Sequence, residues 1–441
     1  MPRRLLLALV GCVFYGLAGW HPPAAESPRT GRPALRSLLA DDRLLAIERG
    51  NGCLDEPTAA PAAQAWPDWA AAHIAGGDVA PARVVSDPFP TFHSVVVDAV
   101  NDRVFVSDPN RHALWSYDRR AASTGADPVT PITGIRGPST GMMFVAAVAV
   151  DPEARELYTV DNDIGDRMMV FPYDADGNVK PKRVLSVPHQ AWGISINPTR
   201  KEVAISVEGP REIVVYAQNA SGSDAPLRMI RGPRTGLGDP HGVFFDGKHN
   251  EIVVANHGNQ NGRQTLPGSV ATARRGGAGS DRGALVGGHF DEPSITVYAG
   301  EATGDVAPVR RIQGPKAGLN WPMALGVDAD HDEIAIANSG DSSIRVFSRT
   351  ATGDVGPIRV IKGAQTGIHG PMGVTFDVKN DELWVANYGD HTALVFARTA
   401  AGDARPKRVV RNAPAGSPTV GFGNPGAIAY DSKRDELLVP N

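Results

Sequence analysis

Apolar and polar residues alternate along short runs that recur through most of the chain, and glycine, proline, asparagine or aspartate ends each run. The clearest set is GVTFD at residues 373–377, ELWVAN at 382–387, ALVFAR at 393–398 and KRVVRN at 407–412. Alternation of β-branched and aromatic residues with polar ones is typical of half-buried strands, and the residues between the runs are typical of turns. The pattern therefore predicts groups of four short antiparallel strands.

A turn related to TGDVxP occurs in each group and returns at a nearly constant interval. Seven copies begin at Gly76, Gly125, Asp176, Ser221, Thr303, Thr352 and Ala401. The intervals are about 45 to 52 residues, apart from one of about 82, and such a period is typical of stacked supersecondary units. Because a four-stranded sheet cannot bury two apolar faces alone, radially arranged sheets cover one another. The repeat predicts an all-β, seven-bladed β-propeller with four antiparallel strands per blade.

The two ends of the repeat region predict how the ring closes. The chain ends in DELLVPN, after only the second strand of a seventh unit, and the segments at 69–75 and 82–86 match a third and a fourth strand. A blade built from both ends would leave no open sheet edge, so we expect the last blade to be closed by N- and C-terminal strands. The propeller would then span residues 69–441, with a Gly-rich loop insertion at 258–293 in blade 4.

The pattern P-x-G-V-x-x-D, followed by E-L-x-V-A-N-x-G-D-x-x-I-x-V-F, resembles the NHL and YVTN-type repeats of bacterial propeller proteins. The resemblance covers nearly the whole chain after Trp69. It implies that the GVxxD strand is innermost and lines the central channel. Propellers of this kind serve as lactonase-like hydrolases, lyases, binding modules and scaffolds, so the resemblance implies a fold and leaves the activity open.

The first 25 residues are typical of a secretory signal peptide, because two arginines precede an apolar run and then small residues. The alternative is a lipoprotein box, LVGC, with lipidation at Cys12, but the apolar VFYGLAGW that follows disfavours it. We expect a secreted or periplasmic protein with no transmembrane segment after the signal. Residues 26–68 are predicted to be a Pro/Ala-rich linker in which ALRSLLADDRLLAIERG has helical spacing.

Charge and motif content narrow the range of partners. The chain has 44 Lys and Arg against 48 Asp and Glu, a balance that favours neither nucleic acid nor an anionic membrane as a partner. We expect a monomer that binds a protein or a small-molecule ligand. The sequence contains no P-loop, no HExxH and no G-x-S-x-G motif.

Candidate chemistry falls where the start of each inner strand and the end of each second strand meet at one channel mouth. The strand starts are His93, Phe144, Trp192, His241, Met323, Met372 and Pro425, and the second-strand ends are Asp108, Asp161, Glu208, Asn256, Asn338, Asn387 and Asn441. Lactonase-like propellers hold calcium in the channel through carboxylate and asparagine oxygens, the ligands that Ca²⁺ prefers. The resemblance therefore implies a calcium site at Asp108, Asp161, Glu208 and Asn256. The alternative is that these residues cap tight turns.

His241, in GDPHGVFFD, is the foremost catalytic candidate because Met323 and Met372 take the same position in later repeats. It could act as a base, a metal ligand or a hydrogen-bond partner of a substrate, or it could be a solvated histidine at the mouth. His93 is the second catalytic candidate. The predicted ligand-binding set is His241, Asn256, His257, Trp192, Asn338 and Asn387, with packing at the channel rim as the alternative for Trp192.

The favoured interpretation is an exported binding or scaffold module that presents its channel mouth to a ligand or protein partner. A metal-dependent, lactonase-like hydrolase or lyase is the alternative, and a structural role in a cell-envelope assembly is a third. Whether the chain is an enzyme stays open at this point.

Overall fold

The computed structural model of the chain describes residues 89–162, 165–260, 289–417, 419, 429–431 and 436–438. Within these residues the chain forms six four-stranded antiparallel sheets, and each sheet keeps its strands in chain order. The first strand of each sheet lies beside the first strands of two other sheets, so the six sheets form a closed ring. The predicted β-propeller with four antiparallel strands per blade is confirmed.

Blades 1 to 3 are each built from four consecutive strands. Blade 1 contains β1 (Val95–Asp98), β2 (Arg103–Asp108), β3 (Ala113–Asp118) and β4 (Thr133–Ile135). Blade 2 contains β5 (Val145–Asp151), β6 (Glu156–Asp161), β7 (Arg167–Pro172) and β8 (Arg183–Ser186). Blade 3 contains β9 (Ala191–Asn197), β10 (Glu202–Val207), β11 (Glu212–Ala217) and β12 (Arg228–Arg231).

Blade 4 carries an additional strand pair between its second and third strands. Its sheet contains β13 (Pro240–Asp246), β14 (Glu251–Asn256), β17 (Ser294–Ala299) and β18 (Arg310–Gln313), and the additional pair is β15 (Asn259–Gln260) with β16 (His289–Phe290). Blade 5 contains β19 (Pro322–Asp328), β20 (Glu333–Asn338), β21 (Ser343–Ser348) and β22 (Arg359–Ile361). Blade 6 contains β23 (Pro371–Asp377), β24 (Glu382–Asn387), β25 (Thr392–Ala397) and β26 (Arg408–Arg411).

A separate hairpin follows blade 6. It pairs β27 (Ala429–Asp431) with β28 (Glu436–Leu438). Short 3₁₀ turns lie at Pro138–Thr140, Ser339–Asp341, Val378–Asn380 and Tyr388–Asp390. No helix among the described residues is long and apolar enough to cross a membrane.

The hairpins between first and second strands share one turn design. The acid or amide that ends the inner strand accepts hydrogen bonds from backbone N–H groups two or three residues later, as Asp246 does from Lys248 and His249 at 3.0 and 3.2 Å. The residue before the second strand has a left-handed backbone, with φ of 54° at Asn250. Aspartate and asparagine cap such turns with their own side chains, which explains why they recur at this position.

Apolar side chains fill the wedge between neighbouring blades, and the described residues form such a core at each of the six joints. At the joint between blades 6 and 1, Trp384 and Val395 pack in the same cluster as Val104 and Trp115. Burying a side chain of this size contributes about 1.5–3 kcal/mol, so each joint stabilises both of its blades.

The repeated TGDVxP turn joins each blade to the preceding one through backbone hydrogen bonds. Its glycine forms a parallel bridge with the fourth strand of the previous blade, as Gly177 does with Ile135. The left-handed backbone at this glycine, with φ of 70° at Gly177, explains the residue type. At the joint between blades 6 and 1, the N–H of Ser123 donates to the carbonyl of Val409 at 2.7 Å.

Arginine–glutamate pairs tie the blades together at the opposite end from the channel mouth. The glutamate that starts the second strand binds an arginine of the fourth strand, as Glu382 binds Arg408 at 2.6 Å. A second arginine reaches it from the next blade. Arg398 of blade 6 lies 3.1 Å from Glu333 of blade 5, and Arg119 of blade 1 lies 3.5 Å from Glu382 of blade 6. The joint that closes the ring therefore uses the same ion pairs as joints within the chain.

The prediction of seven blades is wrong, since the described residues form a closed ring of six. The closing strand β1 lies directly against β23, and a Cβ atom on Gly373 would be 2.8 Å from the carbonyl oxygen of His93, which leaves no room for another blade. The predicted closure by N- and C-terminal strands is wrong for the same reason, because blades 1 and 6 are each complete. The segments at 69–75 and 82–86, the signal peptide and the linker lie outside the described residues.

Replacing Arg119 with alanine should lower the free energy of unfolding by about 3 kcal/mol, because it leaves buried acids of blade 6 without their cation. Arg119 is 9% exposed, with Asp377 at 3.4 Å and Glu382 at 3.5 Å. The matched control is Arg120→Ala, whose side chain is 67% exposed and should cost no more than about 0.5 kcal/mol. Urea unfolding followed by circular dichroism measures both. Equal losses in the two variants would contradict the proposed closure.

Candidate functional site

Each inner strand begins with an irregularity that turns one side chain toward the channel mouth. In five blades the pairing between first and second strands shifts register at this point, and such a bulge re-aims the extra residue. The residues at the shift are Ala146, Trp192, His241, Met323 and Met372, and His93 has the equivalent place in blade 1. Phe144 lies two residues before the position predicted for it, because Ala146 takes that position.

The inner strands enclose a central cavity of about 190 Å³, and His93, Trp192, His241, Met323 and Met372 contribute to its lining. The blades come so close here that small residues are required. A Cβ atom on Gly193 would lie 2.4 Å from the carbonyl oxygen of His241. The cavity is therefore narrow, and the side chains at its mouth contact one another across the axis.

Six aromatic and imidazole rings form a continuous row at the mouth. In order they are Trp321, His257, His241, Trp192, His93 and Tyr388, with successive ring centroids 4.6, 4.7, 4.5, 5.2 and 6.1 Å apart. We call these six residues the mouth row. Its three histidines are buried, whereas Trp321 at one end is 51% exposed. The row thus connects solvent with the interior of the channel.

Carboxylates surround the two central histidines of the mouth row. The Nδ1 of His257 lies 3.2 Å from Oδ2 of Asp239, and the Nδ1 of His241 lies 3.6 Å from Oδ1 of the same residue. On its other side, Nε2 of His241 lies 3.5 Å from Oε1 of Glu208. Blades 3 and 4 therefore provide a polar cluster of two imidazoles and two carboxylates, positioned for proton transfer or metal binding.

Burial keeps two histidines of the mouth row, His241 and His93, in the neutral form. It lowers the pKa of His241 to about 4, against the opposing effect of Asp239. It also lowers the pKa of His93 to about 4, although the Nδ1 of His93 donates a hydrogen bond to the carbonyl oxygen of Ala146 at 2.6 Å. A neutral imidazole can accept a proton or bind a metal, so both rings are in the form that such chemistry needs.

Met323, Met372 and Tyr388 form an apolar cluster on the other side of the mouth, and Trp192 packs against it. These residues come from blades 5 and 6, apart from Trp192 of blade 3. The mouth is consequently divided into an apolar half and the polar half of blades 3 and 4.

The asparagines at the second-strand ends brace the turns in front of the inner strands. The Oδ1 of Asn256 accepts a hydrogen bond from the N–H of Gly238 at 3.1 Å. Asn338 accepts one from Asn320 at 2.7 Å, and Asn387 accepts one from His369 at 2.6 Å. Their side-chain amides also bond within their own blades. These contacts match the turn-capping alternative, and a ligand role for the three asparagines stays a prediction.

Two of the acids predicted as calcium ligands are deeply buried within their own blades. Asp108 accepts a hydrogen bond from Nε1 of Trp115 at 2.9 Å, and burial raises its pKa to about 6. Asp161 accepts one from the N–H of Met143 at 3.0 Å, and burial raises its pKa to about 7. No described contact brings either acid to Glu208 or Asn256, so the calcium site stays a prediction.

Asp239 and Trp321 belong to the site and were missed by the sequence analysis. Both lie immediately before an inner strand and have left-handed backbones, with φ of 53° and 50°. In blade 6 the same position is Gly370, with φ of 55°. An acid and a bulky indole where the repeat accepts glycine are the signal that could have revealed them. Gln190 occupies this position in blade 3.

Replacing Asp161 with asparagine should change the pH dependence of stability. The fold raises the pKa of Asp161 from 3.8 to about 7, so it favours the protonated acid. The stabilisation from this preference is present below pH 3.8 and is lost as the pH rises through 7. Relative to the wild type, Asp161→Asn should therefore gain stability between pH 4.5 and 8, on the order of 1–3 kcal/mol. Urea unfolding across this range measures the gain, and the exposed Asp127→Asn is the control. A difference independent of pH would contradict the burial of a protonated acid.

Comparisons with known proteins assign neither a family nor a function to this chain. No protein-family model matches the chain, and no curated protein sequence does. A chain of the nidogen/laminin complex has 11% identity and a TM-score of 0.44, over 73% of this chain and 93% of that one. The hydrazine synthase of Kuenenia stuttgartiensis has 14% identity and a TM-score of 0.47, over 72% and 99%. A functionally unknown protein from Desulfotomaculum acetoxidans has 14% identity and a TM-score of 0.47, over 74% of this chain and 89% of that one. The NHL and YVTN resemblance therefore rests on the repeat pattern alone.

Proposed function

We propose that this chain is a propeller binding module that captures a compact ligand with an aromatic or apolar ring at the channel mouth. The observation that carries the proposal is Trp321, an indole that is 51% exposed although its backbone φ is 50°. A non-glycine residue in this conformation costs about 1–2 kcal/mol. Strain of this kind is concentrated at binding sites, and an exposed indole provides a large rigid contact surface.

The surroundings of Trp321 support a ligand that has both a ring and a polar group. The indole lies 4.6 Å from the ring of His257, at the end of the mouth row that reaches solvent. Beyond it, Asp239 and Glu208 offer carboxylate oxygens, and the methionines of blades 5 and 6 offer an apolar wall. A ring stacked on Trp321 would place a hydrogen-bonding group beside the buried imidazoles.

Export is the second part of the proposal. It is supported only by the amino-terminal sequence, in which Arg3 and Arg4 precede an apolar run and small residues. On this proposal the mouth captures its ligand outside the cytoplasm. Lipidation at Cys12 is the less favoured route to the same compartment.

A metal-dependent hydrolase or lyase is the second candidate, and one observation favours it. Asp239, His241 and His257 place their ligand atoms within 4.8 Å of one another, an arrangement suited to polarising a substrate through a metal. Chelator-sensitive turnover of chromogenic esters or lactones, absent from a His257→Gln variant, would favour an enzyme over a binding module.

Replacing Trp321 with glycine should abolish ligand capture and leave the fold intact. Relief of the left-handed strain offsets the loss of a half-exposed indole, so the melting temperature should change little. Ligand-observed NMR with a library of small aromatic and apolar-ring compounds provides the measurement. We expect compounds that bind the wild type to bind Trp321→Gly at least about tenfold more weakly, equal to 1.4 kcal/mol.

The matched control is Ile358→Ala. Ile358 has a similar exposure of 56%, but it lies beside the fourth strand at the outer edge of blade 5, and its loss should leave binding unchanged. Equal binding to Trp321→Gly and the wild type would refute the proposed site. The absence of any binding compound would refute the small-ligand proposal itself.

A further inference from the structure

We propose that Asp239, His241 and His257 form a binding site for one divalent transition-metal ion, with Glu208 orienting His241 from behind. This site is separate from the calcium site predicted at the second-strand ends. It does not depend on ligand capture at Trp321, because the three ligands belong to blade 4 and are placed by its own bulge and turn.

The distances between the ligand atoms fit a metal centre. A tetrahedral ion with ligands at about 2.0–2.1 Å separates neighbouring ligand atoms by about 3.3 Å. One carboxylate oxygen of Asp239 lies 3.2 Å from Nδ1 of His257, and the other lies 3.6 Å from Nδ1 of His241. In the described part of the chain, this is the one group of three or more His, Cys, Asp or Glu residues whose ligand atoms all lie within 4.8 Å.

Glu208 supplies the support that a metal-binding histidine usually has. A histidine that binds a metal through one nitrogen normally directs the other toward a carboxylate, which fixes the ring and raises its basicity. His241 has Asp239 on its Nδ1 side and Glu208, at 3.5 Å, on its Nε2 side. Glu208 comes from the end of the second strand of blade 3, so the adjoining blade completes the site.

His257 has a nitrogen that the described protein does not satisfy. The side chain is 4% exposed, and its Nε2 is buried without a hydrogen-bond partner among the described residues. Leaving such an atom unpaired costs about 1–3 kcal/mol. The distances above place the metal at Nδ1 of His257, so Nε2 would carry the proton and would be free to donate a hydrogen bond to a ligand or a water at the mouth.

The donor set selects a transition metal over calcium. Two imidazole nitrogens and one carboxylate suit zinc and similar ions, whereas calcium takes six to eight oxygen ligands. Three protein ligands also leave at least one coordination position for water or a ligand. The ring centroids of Trp192 and His241 are 4.5 Å apart, and those of Trp321 and His257 are 4.6 Å apart. The two indoles therefore shield the imidazoles from bulk water.

The structure offers internal controls for a His–Asp pair that has no third ligand. His249 lies 2.8 Å from Asp246 and His331 lies 2.7 Å from Asp328, in the hairpins between first and second strands. Each is a single pair in a turn, and neither histidine is fully buried. If any neighbouring histidine and acid sufficed to bind the ion, these pairs would bind it as well.

The test is a titration of the full, chelator-treated chain with Zn²⁺ alone, followed by calorimetry. We expect one Zn²⁺ per chain. His257→Gln and Asp239→Asn should each weaken binding at least about 100-fold, and Glu208→Gln should weaken it about 10–100-fold. His249→Gln should bind as the wild type does. Visible absorption of the Co²⁺-loaded chain should report four- or five-coordinate cobalt in the wild type and lose this band in His257→Gln.

Circular dichroism and thermal melting in the absence of metal check that each variant is folded. If His257→Gln does not fold, Asp239→Asn decides the matter, because asparagine keeps the shape of the side chain and tolerates the left-handed backbone. Equal Zn²⁺ affinity in Asp239→Asn and the wild type would mean an adventitious ion only and would overturn the proposal. So would a wild type that binds no Zn²⁺, or one in which Ca²⁺ competes equally.

Discussion

The approach of six inner strands to a common axis is the constraint on which the rest of the structure depends. The residue that each inner strand turns toward the channel mouth is followed by a serine, an alanine or a glycine, as in Gly193, Gly242 and Gly373. A Cβ atom on Gly242 would lie 2.9 Å from the Cα of Ala324, in the next blade. Because the backbones meet here, the side chains one residue earlier have no space between the blades and are directed by the bulge to the mouth. The packing that closes the ring thus also brings His93, Trp192 and His241 of the mouth row together.

The ring closes without a blade shared between the chain ends, and three kinds of contact replace that device. Between blades 6 and 1 there is an apolar core around Trp384 and Trp115. The same joint has a backbone hydrogen bond from Ser123 to Val409 and an ion pair between Arg119 and Glu382. Each has a counterpart at joints within the chain. Separating blades 6 and 1 would leave Arg119 and its acids as unpaired charges, which is strongly unfavourable. We therefore expect the contacts of this joint to form and break together.

Local features of the fold could be predicted from the sequence, whereas the number of blades could not. Strand alternation and turn residues identified four strands per blade, because these depend on neighbouring residues. Ring closure depends on a contact between β1 and β23, far apart in the chain, and counting repeats does not reveal it. At the site, the repeat singled out His241 by comparison with Met323 and Met372. Asp239 was overlooked because its importance lies in a left-handed backbone and in distances to two histidines, which appear only once β13 and β14 pair.

Departure from the repeat explains why the candidate chemistry is concentrated in blade 4. Blades 5 and 6 place methionine at the mouth, and with Tyr388 they form the apolar half. Blade 4 replaces methionine with His241 and adds Asp239 and His257, at the cost of burying polar groups. Such burial is unfavourable for stability unless the groups are paired or bind a ligand, and Nε2 of His257 is neither paired nor exposed in the described structure. An otherwise regular scaffold therefore brings two buried imidazoles and a carboxylate together in one sector of the mouth, beside a strained and exposed tryptophan. That coincidence favours binding at this sector over a purely structural role.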